Sequence, residues 1–434
     1  MKDFPLMFSH QGKTVNLIGK KRISTYKKLY NHVESLQEKN IVKTHENYLD
    51  DNELAQNIYS KKYYVKDLNN DLIENKPEDV FKRLSSFLAA VEESPNKQKE
   101  FSQRFYEQLF EGKFIAGGRV LAGAGDLYRL KTLANCFVSQ IQSDNIDSIY
   151  QAAFECARTY SYGGGIGVDI SCLRPKDAVV HNAADSSTGA VSFMELYSLT
   201  TGLIGQSGRR GALMLTIDVK HPDVKHFLKV KKTPNWVTNQ IVEQCSWTGL
   251  FDDAELDTIK KQVMENTQVR FANISIKVSD EFMNAVDEER KYLKNEYLVY
   301  LQKNKPNKNN ANEYDHFSVK MPSKKIENYE LLKSFESFAE MKKWIKLNYN
   351  QNISKKLVHD LKCRNKFGDY VVQCQDAELS IRQAGDFMLY FNSPETGDIK
   401  ELVKARTIWD EFVEGNYKTA EPGIIFWSTM SDYS

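Results

Sequence analysis

The sequence predicts an α/β protein in which a helical segment precedes a body built on a largely parallel sheet. Two patterns predict it. Between Asp51 and Glu111 apolar residues return at helical spacing, first Val80, Leu84, Phe87 and Leu88, then Phe101, Phe105, Leu109 and Phe110; this is the one-sided stripe of packed helices. After the break at Gly117-Gly118, apolar runs of strand length alternate with helical stretches. That alternation places parallel strands beside covering helices.

In chain order, residues 1–50 are polar, Lys-rich and weakly patterned, and read as a loosely attached extension with short helices. A helical domain over 51–115 follows, and then the α/β body from 116 to 434. The clearest helix runs from about Asn145 to Tyr160, where Ile146, Ile149, Tyr150, Ala153, Phe154 and Ala157 form one apolar stripe and Asp144 stands at the N-cap. It lies between strands expected at about Ala134–Ile141 and Ile166–Ser171, a strand–helix–strand unit whose strands are parallel. Further strands are expected at Ala212–Val219, Ala272–Val278, Phe387–Phe391 and Gly423–Trp427. Residues 233–270 read as an insertion with an amphipathic helix marked by Leu256, Ile259, Val263 and Met264, and Lys303–Asp315 reads as an exposed loop.

Composition narrows the function classes. A chain of 434 residues that is 41% hydrophobic and 12% aromatic can bury a large core. Its 59 basic and 58 acidic residues leave a net charge of +1, so no global field recruits nucleic acid or an anionic membrane. Met1-Lys2-Asp3-Phe4-Pro5 opens no signal-peptide core, and the six cysteines show no CxxC spacing. The expectation is a cytoplasmic protein with mostly reduced thiols.

Chemistry-bearing residues sit in several short runs. In Gly205-Gln206-Ser207-Gly208-Arg209-Arg210-Gly211-Ala212 two arginines stand among glycines. Glycines permit close approach to a ligand, and arginines grip phosphate or a base edge. Cys136 sits in an apolar strand, the usual setting of a buried structural thiol. Asp144 reads as a helix cap, and Arg174 as the loop residue closing Ser171-Cys172-Leu173-Arg174-Pro175. Gly163-Gly164-Gly165 and Gly167 lack the Lys-Ser/Thr ending of a phosphate loop, and their order is helix, glycines, strand. Such glycines mark close backbone approach. His221-Pro222-Asp223 has no second histidine nearby and reads as a turn rather than a metal site. Trp236, Trp247 and Trp344 read as core or interface aromatics.

Taken in order, Leu133-Ala134-Asn135-Cys136-Phe137-Val138, Asp144 to Ile149, Tyr162 to Pro175, the Gly205–Ala212 loop, His221-Pro222-Asp223 and Asn273-Ile274-Ser275-Ile276 closely resemble the large catalytic subunit of ribonucleotide reductases over roughly residues 50 to 434. The Gly208–Ala212 loop and the insertion resemble the adenosylcobalamin-dependent class, with a diiron-radical class and separate small subunit as the alternative. The resemblance implies a helical N-terminal domain followed by the first half of a ten-stranded α/β barrel. It implies that Cys136 is a redox-active thiol, that Asn135, Gly164 and Gly165 line the substrate ribose, and that Asp144 and Arg174 hold the sugar and phosphates of a dNTP or ATP effector. Gln206, Ser207 and Arg210 then fall on the specificity loop between effector and substrate. An external dithiol, a thioredoxin-like reductant, would restore the thiols.

The family's thiyl-radical cysteine lies in an Asn-x-Cys-x-Glu pattern, which occurs nowhere in these 434 residues. Neither Lys362-Cys363-Arg364 nor Gln373-Cys374-Gln375 supplies it. The chain is therefore expected to be an N-terminal portion that needs the C-terminal half of the reductase, on a separate chain or after splicing, and to form a homodimer when complete. The alternative is a catalytically inactive nucleotide-sensing or interaction protein that keeps only the effector site.

Overall fold

The computed structural model describes residues 7–10, 13–16, 20–45, 48–49, 51–204, 211–231, 235–265, 269–302, 321–375 and 377–433. The chain divides into two compact units, one made of residues 1–137, 159–165 and 205–209, the other of 138–158, 166–204 and 210–434.

The first unit is helical. The helices Lys20–Glu38, Pro77–Ala89 and Pro95–Phe110 pack around Val33, Leu36, Val80, Leu84, Tyr106 and Leu109. Two of them start at a proline, whose missing N–H costs nothing there, and Ser94 caps the third by accepting from Lys97 N at 3.3 Å. The opening residues thus differ from the expected short, loose helices. Lys20–Glu38 is 19 residues long and buries Tyr26, Leu29, Val33 and Leu36. Their spacing of three and four is the helical stripe, diluted in sequence by the lysines around it. Buried Arg83 ties the unit together, donating to Glu74 Oε1 at 2.6 Å, Leu121 O at 2.9 Å and Tyr63 O at 3.2 Å. A buried cation is tolerable only when paired and hydrogen-bonded in this way. Gly125, at φ +77°, passes so close that a Cβ there would stand 2.8 Å from Arg83 Cγ.

The second unit is organised by a parallel five-stranded sheet. Its strands lie in the order Gly423–Phe426, Ala272–Val278, Ala212–Asp218, Gly165–Asp169, Cys136–Gln140. Ile276 pairs with Ile217 on one side and Ile424 on the other. Buried Leu213, Leu215 and Ile217, with Ile274 and Ile276 in the neighbouring strand, recur at every second position and so turn one apolar face of these strands into the core. The helix Ile146–Ser161 joins the two strands flanking it in sequence, as expected. The insertion contains two helices, Asn235–Trp247 and Asp253–Glu265, rather than one.

Phe387–Phe391 departs from the expected parallel sheet. It lies in Asp386–Ser393, which pairs antiparallel with Gly397–Lys404 as a separate hairpin. A further four-stranded sheet, in the order Tyr329–Phe335, Tyr297–Gln302, Glu378–Gln383, Tyr370–Gln373, is antiparallel throughout. It packs on the helix Phe338–Tyr349 through Phe335, Met341, Ile345 and Ile381, with Trp344 partly buried at the edge of that core. Trp247 is exposed instead. The expected loop at Lys303–Asp315 and the side chain of Trp236 lie outside the described residues.

Candidate functional site

Within the first unit, the chain around Cys136 and the glycine turn meet. Gly165 N donates to Asn135 O at 2.8 Å, and Thr132 N donates to Tyr162 O at 2.9 Å. These two bonds set Asn135, Cys136, Gly164 and Gly165 side by side. Gly164 is fixed by crowding, since a Cβ there would lie 2.7 Å from Thr159 Cγ2 and 2.9 Å from Phe137 Cε2. Cys136 opens its strand as an exposed, free thiol, unlike the buried cysteine its apolar flanks predict. Its neighbours Phe137 and Val138 are exposed as well.

The other cysteines sit differently. Cys156 and Cys172 are buried, Cys245 and Cys374 are intermediate, and Cys363 is exposed. Burial, with Asp169 and Asp144 adding to it, pushes the Cys172 thiol well above its usual range, which suppresses the thiolate that redox chemistry needs.

Beside the Gly163 turn, in the same unit, lies a cavity of about 300 Å³. Lys61, Lys62, Lys66, Arg119, Arg129 and Lys131 all line it, and none of its lining residues is a carboxylate. Sequence reasoning missed it because the cations are scattered along the chain.

In the second unit Asp144 and Arg174 come together. Arg174 Nε donates to Asp144 Oδ2 at 2.6 Å and Nη2 to Asp144 O at 3.3 Å. Nη1 donates to Val179 O at 2.8 Å, and Nη2 also reaches Glu395 Oε2 at 2.6 Å. Burial alone would lower the Arg174 pKa, but the bonds to Glu395 and Asp144 outweigh it and raise it. The guanidinium is therefore a fixed, permanently charged group, 11% exposed, rather than a solvated loop arginine.

Asp144 is not the helix cap. Asn145 caps the helix by accepting from Ser148 N at 2.8 Å, and its Nδ2 donates to Ser143 Oγ at 2.7 Å. Ser143, Asp144 and Asn145 are all capping residue types, and the cationic partner draws Asp144 away from the helix end.

His221 is buried, accepts at Nδ1 from Asp223 N at 3.0 Å and meets Leu173 O through Nε2 at 2.8 Å. This neutral imidazole, its pKa lowered by burial, pins the loop that carries Arg174. No group of three or more potential metal ligands occurs among the described residues. No described helix is long and apolar enough to cross a membrane. Gln206, Ser207 and Arg210, expected on the specificity loop, lie outside the described residues.

Comparison with known proteins accords with both units. Residues 49–129 match the all-alpha domain of ribonucleotide reductase, and residues 134–433 match its barrel domain. The chain is 28% identical over 260 residues to the ribonucleoside-diphosphate reductase subunit alpha of Helicobacter pylori, covering 55% of this chain and 32% of that protein. It is 33% identical over 152 residues to the vitamin B12-dependent ribonucleoside-diphosphate reductase of Thermoplasma acidophilum, covering 35% of this chain and 19% of that protein. The enzyme of the same name from Mycobacterium tuberculosis is 33% identical over 156 residues, or 35% and 22% of the two chains. The chain thus spans about a third or less of the length of these relatives. With a helical domain and a parallel-sheet barrel segment both matched in order, the chain belongs to the ribonucleotide reductase large-subunit family.

Proposed function

We propose that this chain carries the deoxynucleotide specificity site and one redox thiol of a ribonucleotide reductase, and works with a thiyl-radical cysteine from outside these 434 residues. The observation that carries the reading is the bond from Gly165 N to Asn135 O beside an exposed Cys136. That contact holds the exposed thiol beside backbone contributed by Asn135, Gly164 and Gly165. In the overall reaction the ribose 2′-hydroxyl leaves as water and hydrogen replaces it. Two thiols, Cys136 and a second one, lose two hydrogens and close to a disulfide that an external, thioredoxin-like dithiol reopens.

Asp144 and Arg174 take the effector's sugar and phosphates. Gln206, Ser207 and Arg210 relay the identity of its base to the substrate. The substrate is taken to be a ribonucleoside diphosphate, the form in the names of the relatives.

Two of those relatives are named for vitamin B12, which supports adenosylcobalamin as the radical source. The basic cavity is too small and too charged to seat a corrin.

The strands Cys136–Gln140 and Gly423–Phe426 are the outer strands of the five-stranded sheet, and Phe137, Val138 and Phe426 are exposed beside them. Open edges with apolar neighbours favour completion of the barrel by further strands, in a cytoplasmic enzyme that dimerises when whole. The experiment compares reduction by the 434-residue chain alone with reduction by the chain joined to its complement, using adenosylcobalamin and a dithiol. The chain alone gives none and the completed enzyme turns over; turnover by the chain alone contradicts the reading.

A further inference from the structure

We propose that the cavity walled by Lys61, Lys62, Lys66, Arg119, Arg129 and Lys131 binds the phosphate chain of a small ligand, through residues distinct from the Asp144–Arg174 pair. A run of charges in one helix fans out into solvent. These cations come instead from chain segments up to seventy residues apart and converge on one concavity without a lining carboxylate. An anion entering this concavity meets positive charge from several separate segments at once.

The fold fixes part of the wall. Arg129 donates to Lys66 O at 2.7 Å and to Asp67 O and Asn70 Oδ1, both at 2.8 Å. All three acceptors are neutral, so the guanidinium is oriented while its charge stays uncompensated. Lys131 donates to Ala122 O at 2.9 Å and pairs with Asp126 at 2.8 Å. Lys61, Lys62 and Lys66 have no carboxylate partner among the described residues.

The local backbone is also unusual. Tyr59–Tyr63 forms a π-helical turn, closed by Tyr64 N donating to Tyr59 O at 3.0 Å. Such turns cost hydrogen-bond geometry and recur at functional sites. Here the extra residue lets Tyr59, Tyr63 and Tyr64 pack on the helical core while Lys61 and Lys62 reach the cavity. Forked and flexible cations around a small polar volume suit the oxygens of a di- or triphosphate. The inference needs no reductase activity, so it stands or falls apart from the function proposed above.

The test is calorimetric titration of the 434-residue protein with tripolyphosphate at low salt, repeated with pyrophosphate and with dATP as competitor. The variants are Lys61→Gln/Lys62→Gln/Lys66→Gln, the same three positions changed to Glu, and Arg174→Ala, each checked for fold by circular dichroism. In the Arg174→Ala background, which removes the cation of the effector site, the expected result is saturable binding that weakens as salt rises, at least tenfold weaker when the Gln changes are added and weaker still with the Glu changes. Displacement by dATP in the Arg174→Ala background identifies the phosphates as those of a nucleotide; failure to displace identifies a free polyphosphate. Both support the site. No saturable binding in that background, or binding that survives both sets of lysine changes there, overturns it.

Discussion

The guanidinium of Arg174 is held by Asp144 thirty residues earlier, Nε to Oδ2 at 2.6 Å, and by Glu395, Nη2 to Oε2 at 2.6 Å. Glu395 sits at the tip of the hairpin formed by Asp386–Ser393 and Gly397–Lys404. An effector phosphate bound by Arg174 must therefore displace, or share the cation with, a carboxylate already in place.

That competition has a measurable size. Glu395 is half exposed, so its pair with Arg174 contributes about 0.2–1 kcal/mol. Glu395→Gln should tighten effector binding by about 1.5- to 5-fold and leave the Asp144 contact intact. Equal or weaker binding of a deoxynucleoside triphosphate, measured by calorimetry, would show that Glu395 does not compete.

Cys136 is expected to be the accessible thiol of its region. Limited alkylation followed by peptide mass mapping should modify Cys136 well before Cys156 or Cys172, which burial protects. In the completed enzyme Cys136→Ser should abolish sustained turnover without weakening effector binding. Near-normal turnover by that variant would assign the cysteine a structural role.

Gly164→Ala tests the close approach beside the thiol. The added methyl would meet Thr159 Cγ2 at 2.7 Å and the Phe137 ring at 2.9 Å, an overpacking that costs about 1–3 kcal/mol. A lowered melting temperature together with weakened substrate binding is expected. An unchanged melting temperature would mean that the turn relaxes freely and that Gly164 is not needed for its shape.

Much of this arrangement was legible in the sequence, and the failures have physical causes. The helix at Asn145–Tyr160 and the strand Ala272–Val278 were readable because each carries its full apolar pattern locally. The four-stranded antiparallel sheet was not. Val299 pairs with Ile381 across more than eighty residues, and the buried run Tyr297-Leu298-Val299-Tyr300 lacks the alternation that marks a half-exposed strand. The sequence leaves the cap ambiguous because three neighbouring residues suit it, and only the folded position of Arg174 decides among them. Cys136 illustrates the reverse case, since its apolar neighbours Phe137 and Val138 predict burial while the strand lies at the edge of its sheet.

Asp218 sets a pH dependence. Fully buried, it has its pKa raised from 3.8 to about 6, chiefly by burial, with Lys277 and the Lys220 backbone N–H pulling the other way. Its Oδ2 has no hydrogen-bond partner, as suits a carboxyl that is easily protonated. The folded state therefore holds this proton more tightly than the unfolded chain. The stability it contributes is fully present below about pH 4 and is lost as pH rises through about 6, on the order of 2–3 kcal/mol. Asp218→Asn removes that slope, so its melting temperature relative to the wild type should climb between pH 4 and 6 and level off above. A difference that stays constant across this range would contradict the assignment.

The most direct test of the central claim is calorimetric titration of the 434-residue chain and its Arg174→Ala variant with each of the deoxynucleoside triphosphates. A charge-assisted phosphate contact contributes roughly 1.5–3 kcal/mol. The account predicts that the wild type binds and that Arg174→Ala weakens every triphosphate by about ten- to a hundredfold, whatever the base. Equal affinities in the two proteins, or a loss confined to one base, would contradict a phosphate-binding effector site at Asp144 and Arg174.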